Sequence, residues 1–321
     1  MDKKSKHLKI VCLGGGRGTS SLLQGLKAYT PHLTVITSMA DDGGSSGRLR
    51  KAYNIMPPGD IVSCIAALVD DKELAELLIH RFPGDYKTIK EISGQKLGNL
   101  IMLAEIQRTG DFYKAIDAVK RIFGVTANAL PATDERTRLS GITLDGRRLH
   151  SETTMDLALY AEPHGFRKIY ITPKNPKVNP KVLQTLEEAD VIISGPGDLY
   201  TNQLPVVVVP QIKDALLKSK AKKIFVLNIA NKPFETKGYT LYNFVQAFTD
   251  HVGEFPFQMV ITNNNQSYKI PKQYRYDYIT IDKNRTWDFE LVTEDLVNKG
   301  FPIYHDADKL GKVLAKYADL L

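Results

Sequence analysis

The residues of this chain best suited to chemistry fall in three clusters, each placed just after a short apolar run. The first is Gly14-Gly15-Gly16-Arg17-Gly18-Thr19. Glycines let a backbone come close to a ligand, and their N–H groups add to the positive end of a following helix, so a phosphate or diphosphate suits this place. The spacing lacks the Gly-Lys-Ser/Thr of a Walker loop and the third glycine of a dinucleotide fingerprint. A tight strand-to-helix turn with no ligand is the plain alternative.

The second cluster is Asp41-Asp42-Gly43-Gly44-Ser45-Ser46-Gly47-Arg48. A carboxylate about 20 positions beyond a glycine turn is where a ribose hydroxyl is often held. The third is Ser194-Gly195-Pro196-Gly197-Asp198-Leu199-Tyr200, a rigid turn that exposes amides and in which Tyr200 and Thr201 offer hydroxyls or a stacking face. Asn228 ends the next strand and points to the same edge. Asp60 follows Pro57-Pro58-Gly59 at a helix start, where a capping role is the simplest reading. With Asp41 and Asp42 it would alternatively help hold Mg²⁺, an ion that takes carboxylates and ligand phosphates.

These clusters need elements to position them. Lys9 to Leu13 reads as a strand, Thr19 to Ala28 as a helix and Leu33 to Thr37 as a second strand. Together they make a right-handed βαβ unit. Ala40 to Gly59 reads as a long polar connection of the kind that often carries function. From Lys72 to about Phe123 apolar residues recur at helical spacing, a helical insertion over roughly 72–125. Arg138 to His150 alternates around Asp145-Gly146 and predicts a hairpin. Parallel character resumes after Phe166, with buried strands at Lys168–Ile171, Val191–Ser194, Ile224–Asn228 and Gln258–Thr262. Helices are expected at Val182–Glu188, Ile212–Ser219 and Tyr242–Thr249, and a last one carries the stripe Leu310, Val313, Leu314, Tyr317 and Leu321. The expectation is one α/β domain over 1–321, doubly wound on a mainly parallel sheet, with clusters that meet beyond the carboxyl ends of the strands.

Composition narrows the function classes. Of 321 residues, 43% are apolar and 25% charged, which allows an ordinary buried core without metal or disulfide. Cys12 and Cys64 sit in separate apolar runs and read as buried reduced thiols. Lys and Arg exceed Asp and Glu by seven, but they are scattered and no nucleic-acid motif accompanies them. Seven histidines lack ligand spacing, no nucleophile elbow occurs, and Trp287 reads as packing. The polar segment Met1–Lys9 is not a signal peptide and no run is long enough to span a bilayer. A cytoplasmic protein with a small anionic ligand, no nucleic acid and no membrane is expected, and homo-oligomers are left open.

Taken in order, the motifs resemble the YvcK-type gluconeogenesis factor family of the CofD-like superfamily. The resemblance rests on Gly14-Gly15-Gly16-x-Gly18, on Ala40 to Arg50 with its Asp-Asp-Gly-Gly-Ser-Ser-Gly-Arg run, and on Pro57-Pro58-Gly59-Asp60-Ile61. It continues through Leu97-Gly98-Asn99-Leu100, Gly110-Asp111-Phe112, Leu130-Pro131-Ala132-Thr133, Ser194 to Thr201, Glu235-Thr236-x-Gly238-Tyr239 and His305-Asp306. It implies a Rossmann-like fold with a cleft, and a binder of UDP-sugars linked to cell shape and gluconeogenic carbon metabolism. It adds Asn99 to the ligand-binding candidates. The related transferases move a phospholactyl-type group from a guanosine diphosphate donor with Mg²⁺, and that branch implies catalytic and metal-holding roles for Asp42 and Asp60. This chain departs from the family pattern at Arg17 (usually Thr), Gln95-Lys96 (His-Ser), Asp198 (Ser), Lys232-Pro233-Phe234 (Gln-Pro-Gly) and Tyr304 (Arg). Arg17 would contact a phosphate, whereas Asp198 would repel one. A sugar-nucleotide binder is therefore expected first, a Mg²⁺-dependent transferase second, and an NAD binder or a protein scaffold after them.

Overall fold

Each buried apolar run becomes a strand, and the connections carry the helices. The computed structural model describes residues 8–84, 92–156, 165–282 and 284–320. The chain opens with Ile10–Leu13 (β1), Gly16–Leu26 (α1) and Leu33–Thr37 (β2), followed by Gly44–Tyr53 (α2), Gly59–Leu68 (α3) and Lys72–Ile79 (α4). Then come Leu97–Thr109 (α5), Phe112–Ile122 (α6), Asn128–Pro131 (β3), Arg138–Thr143 (β4), Arg148–Leu149 (β5), Glu152–Asp156 (α7) and Phe166–Thr172 (β6). Pro180–Glu187 (α8), Val191–Ser194 (β7), Leu204–Val207 (α9), Pro210–Lys218 (α10), Lys222–Val226 (β8) and Ala230–Asn231 (β9) follow. The last elements are Leu241–Val252 (α11), Met259–Asn263 (β10), Asp277–Tyr278 (β11), Glu290–Glu294 (β12) and Ala307–Tyr317 (α12).

Seven strands form one sheet in the order β12-β10-β8-β7-β1-β2-β3, and all six pairings are parallel. Every strand of this sheet therefore ends at the same edge. The chain leaves β1 towards β2 on one side and returns as β7 on the other, so the crevice at a doubly wound sheet's switch point opens between Leu13 and Ser194. β1 alternates: Ile10 and Cys12 enter one core with Leu22, Leu26, Ile61 and Leu310, while Val11 and Leu13 enter the other with Ile36, Leu204, Phe225 and Phe248. Both faces are covered, as a parallel sheet requires.

The predicted βαβ unit, hairpin and later helices are present. Three features differ from expectation. Ala40 to Gly59 is not an open loop, because Gly44–Tyr53 is helical, capped at its end by left-handed Asn54 (φ 57°). Its small residues have poor helix propensity but permit close packing: a Cβ on Gly47 would stand 1.9 Å from the Asp42 carbonyl oxygen. The predicted strand at Lys168–Ile171 belongs to β6, which pairs antiparallel with β4 in a separate three-stranded sheet. Two edge strands of the large sheet, β3 and β12, escape the apolar-run reading because they are short and only partly apolar. The segment 85–91 of the expected helical insertion, the start of the basic N-terminal stretch (1–7) and Leu321 of the last stripe lie outside the described residues.

Cys12 and Cys64 are free thiols within one core. Burial pushes the Cys12 thiol up to about 12, and pushes Cys64 well above the ordinary range. Neither should react with a disulfide reagent at pH 8 until the protein unfolds; prompt labelling of the native protein would contradict this packing. Among the described residues, no helix is long and apolar enough to cross a membrane.

Candidate functional site

Two cavities open at the carboxyl edge of the sheet, and Arg17 lines both. The larger, about 730 Å³, is bounded by Gly16, Asp41, Gly43 to Ser46, Asp60, Lys96, Asn99, Glu152 and Asp156. The smaller, about 110 Å³, lies among Gly15, Gly18, Pro196, Gly197, Asp198, Asn228, Lys232, Tyr276, Tyr304 and His305. The expected meeting of the three clusters is thus what the topology produces. Helices α1, α2 and α3 all begin at the larger cavity, and three helix N-termini favour an anion there.

The glycine turn has a tenant from within the protein. Gly16 N–H donates to Asp60 Oδ1 at 3.0 Å, and a Cβ on Gly15 would lie 2.2 Å from Asp60 Oδ2. Gly18 needs its missing side chain for the third cluster, since a Cβ there would stand 2.5 Å from the Pro196 carbonyl oxygen. Gly14 packs on Thr19, whose hydroxyl donates to that same carbonyl at 3.4 Å. The first and third clusters therefore interlock, leaving Arg17 to reach outward.

The carboxylate that joins Asp60 is Asp41, not Asp42. Asp42 Oδ1 accepts from Thr153 N–H (2.9 Å) and Thr153 Oγ1 (2.8 Å), and the residue lines a groove with Arg50, Arg136 and Arg138 instead of the larger cavity. The turn at Gly43, whose N–H donates to Asp41 Oδ1 at 2.9 Å, separates the two neighbours. Burial, then the Asp41 charge, pushes the Asp60 carboxyl up to about 7, while Lys96 and the Gly16 N–H pull it down. Burial also raises Asp41.

Several other candidates hold the framework. Ser45 Oγ donates to Gln95 Oε1 (2.6 Å) and accepts from Lys96 N–H (3.1 Å) and Asn99 Nδ2 (3.1 Å). Ser46 Oγ accepts from Gly59 N–H at 2.9 Å. Arg48 donates to the Ser93 carbonyl at 2.8 Å. Asn228 clamps Gly197 with one bond in each direction, at 3.0 and 2.8 Å. Tyr200 is 2% exposed, its hydroxyl meets that of Tyr239 at 3.0 Å, and it lines neither of these two cavities. Gly195, in left-handed backbone (φ 77°), packs its Cα against the Val226 carbonyl.

Two cavity carboxylates and one lysine escape the motif reading. Glu152 and Asp156 open and close the one-turn helix α7, and only their four-residue spacing after a predicted hairpin hinted at a shared face. Burial, then Asp41 and Asp156, pushes Glu152 up to about 10, so it is a neutral donor at pH 7. Lys232 Nζ pairs with Asp156, with Asp198 (2.7 Å) and with Glu235 (3.7 Å). Asp198 thus has a cation beside it, although that single charge is shared with two other carboxylates and Asp198 still acts on Asp60. Arg17 likewise meets Tyr304, its Nη1 donating to the hydroxyl at 3.3 Å and its guanidinium lying 5.1 Å from the ring centre.

The described carboxylates form no ready-made Mg²⁺ cage. Asp42 is turned away, Asp60 and Asp41 each already accept a backbone N–H, and the Lys96 ammonium acts on both. Among the described residues no group of three or more His, Cys, Asp or Glu could hold a metal ion.

Two buried acceptors face the cavities without a protein partner: Asn99 Oδ1 in the larger and His305 Nε2 in the smaller. Burial pushes His305 down to about 3, so its ring is neutral.

The family model described as 2-phospho-L-lactate transferase CofD matches residues 10–309. The gluconeogenesis factor of Bacillus subtilis is 35% identical over 317 residues, covering 95% of this chain and 96% of that protein. A putative gluconeogenesis factor of Aquifex aeolicus is 36% identical over 324 residues, 97% of each chain. The crystal structure of a UPF0052-family protein from Bacillus halodurans superposes with a TM-score of 0.87 at 31% identity, covering 96% of this chain and 99% of that one. With the motifs, the parallel sheet and matches along nearly its whole length in agreement, this chain belongs to the gluconeogenesis factor family, related to CofD.

Proposed function

We propose that the paired cavities bind a nucleoside diphosphate sugar of the UDP-sugar class, and that the protein acts in the cytoplasm as a regulatory binder in gluconeogenic carbon metabolism and cell shape. One observation carries the reading: Arg17, at the start of α1, borders both cavities. A diphosphate set there meets a guanidinium and helix N-termini, while its two ends extend into separate chambers. The orphaned acceptors Asn99 Oδ1 and His305 Nε2 offer one polar anchor at each end for hydroxyl or imide N–H donors.

Calorimetric titration with UDP-N-acetylglucosamine, UDP-glucose, GDP, GTP and NAD tests this. Saturable UDP-sugar binding without turnover is expected, and Arg17→Ala should weaken it about tenfold or more, the worth of one charge-assisted contact. Guanine-nucleotide preference, or an unaltered affinity in Arg17→Ala, would refute it. A transferase reading has one observation in its favour: the Asp60 carboxyl near 7 is tuned for proton transfer from an acceptor hydroxyl. Consumption of the nucleotide-linked donor during the titration would select that reading.

A further inference from the structure

Lys96 places an amine in the protein interior, only 7% exposed. Its Nζ donates to the Gly59 carbonyl (3.2 Å) and to Ser63 Oγ (2.8 Å). The Ser63 hydroxyl is free to accept because its own proton goes to that same carbonyl at 2.8 Å. An ammonium has three donors, so one remains, and Lys96 lines the larger cavity. Its backbone N–H is fixed by Ser45 Oγ, so the base of the side chain is held as firmly as its tip. Burial lowers the Lys96 ammonium's pKa and Arg81 acts in the same direction, while Asp60 and Asp41 support the charge.

A buried ammonium is costly unless paired, and here Asp60 and Asp41 act on it across the cavity without forming a direct ion pair with it. A cation placed between two carboxylates and a diphosphate performs the task that Mg²⁺ performs in many phosphate sites. The donor set already described leaves that task without a suitable metal cage. We propose that Lys96 is the resident cation of this site, bridging the Asp41–Asp60 pair to the ligand's diphosphate, so that nucleotide binding needs no divalent ion. This rests on the reading of the cavities as a nucleotide site.

The test uses full-length protein in buffers with EDTA or with Mg²⁺. Wild type should bind UDP-N-acetylglucosamine equally in both. Lys96→Ala should lose about ten- to a hundredfold in EDTA, the worth of a charge-assisted contact, and should recover part of it in Mg²⁺. Binding by wild type that EDTA abolishes would overturn the proposal. Mn²⁺ uptake by the ligand-free proteins, read from the electron paramagnetic resonance signal of free Mn²⁺, decides the matter without any nucleotide. Wild type should take up none, and Lys96→Ala should take up stoichiometric Mn²⁺ that Asp60→Asn in the same protein removes. Stoichiometric uptake by wild type, or none after the lysine is deleted, overturns it. Failure of wild type to bind any nucleotide in either buffer would instead remove the functional reading. Should Lys96→Ala not fold, Lys96→Met keeps the stem and deletes the charge, and the wild-type measurements stand without a variant.

Discussion

Gly25→Ala is expected to lower the stability of the fold by about 3 kcal/mol, the upper part of the usual range for overpacking. A Cβ at Gly25 would stand 2.2 Å from the Ala307 carbonyl oxygen and 2.8 Å from the Gly311 nitrogen. One at Gly311 would stand 2.3 Å from the Gly25 carbonyl oxygen. Helices α1 and α12 thus cross backbone against backbone, and no flexible side chain is available to yield. Separating them would loosen Leu22, Leu26, Leu310 and Leu314, all fully buried. The check is urea denaturation, in which the midpoint should fall while the slope stays constant. Gly311→Ala should behave alike, and the double variant should cost less than the sum because one crossing is opened twice. An unchanged midpoint for either single variant would refute the close crossing.

Asp60→Asn should stabilise the folded protein at pH 8 while impairing ligand binding. The folded-state carboxyl lies at about 7, raised from 3.8 by burial and by Asp41. The folded protein thus holds this proton more tightly than the unfolded chain does. The group favours folding most below its ordinary range, and that contribution falls as pH rises from about 4 and is gone above about 7. Each pKa unit corresponds to roughly 1.4 kcal/mol, so ionised Asp60 costs on the order of a few kcal/mol at pH 8. Asparagine keeps an oxygen for the Gly16 N–H and removes the charge. Thermal melts should show the variant above wild type at pH 8, with the gap closing towards pH 4. A variant that melts below wild type at pH 8 would mean that the Lys96 attraction outweighs burial. Such a gain on removal of a charged cavity group is the stability cost that functional sites commonly carry.

Much of this architecture was legible because a buried parallel strand is a continuous apolar run. Ile10–Leu13, Val191–Ser194 and Met259–Asn263 are buried throughout, and sequence patterning finds such runs. β6 misled because Ile169 and Ile171 look like a core strand, although Arg167 and Lys168 are exposed and its partner is the hairpin. α2 was hidden by Gly44, Ser45, Ser46 and Gly47, chosen for close approach and not for helix propensity. At the site, the three clusters and their common edge follow from strand ends, which sequence marks. Which of two adjacent carboxylates turns inward follows from the bond of Gly43 to Asp41 and the two bonds of distant Thr153 to Asp42, which sequence does not mark. Glu152, Lys96 and the pairs Arg17–Tyr304 and Lys232–Asp198 join residues far apart in the chain, so only the folded structure brings them together.

Arg17 forms part of the wall of both cavities while resting on the Tyr304 ring. Under the proposed binding mode, groups seated in the two chambers would press on one guanidinium, and neither could move it without altering the place of the other. Their binding energies would then be linked, and the linkage would be reciprocal: whatever one occupant did to the affinity of the second would be returned in equal measure. A cleft with a shared wall would read two chemical groups as one joint event, and so would distinguish a whole molecule from its separate halves.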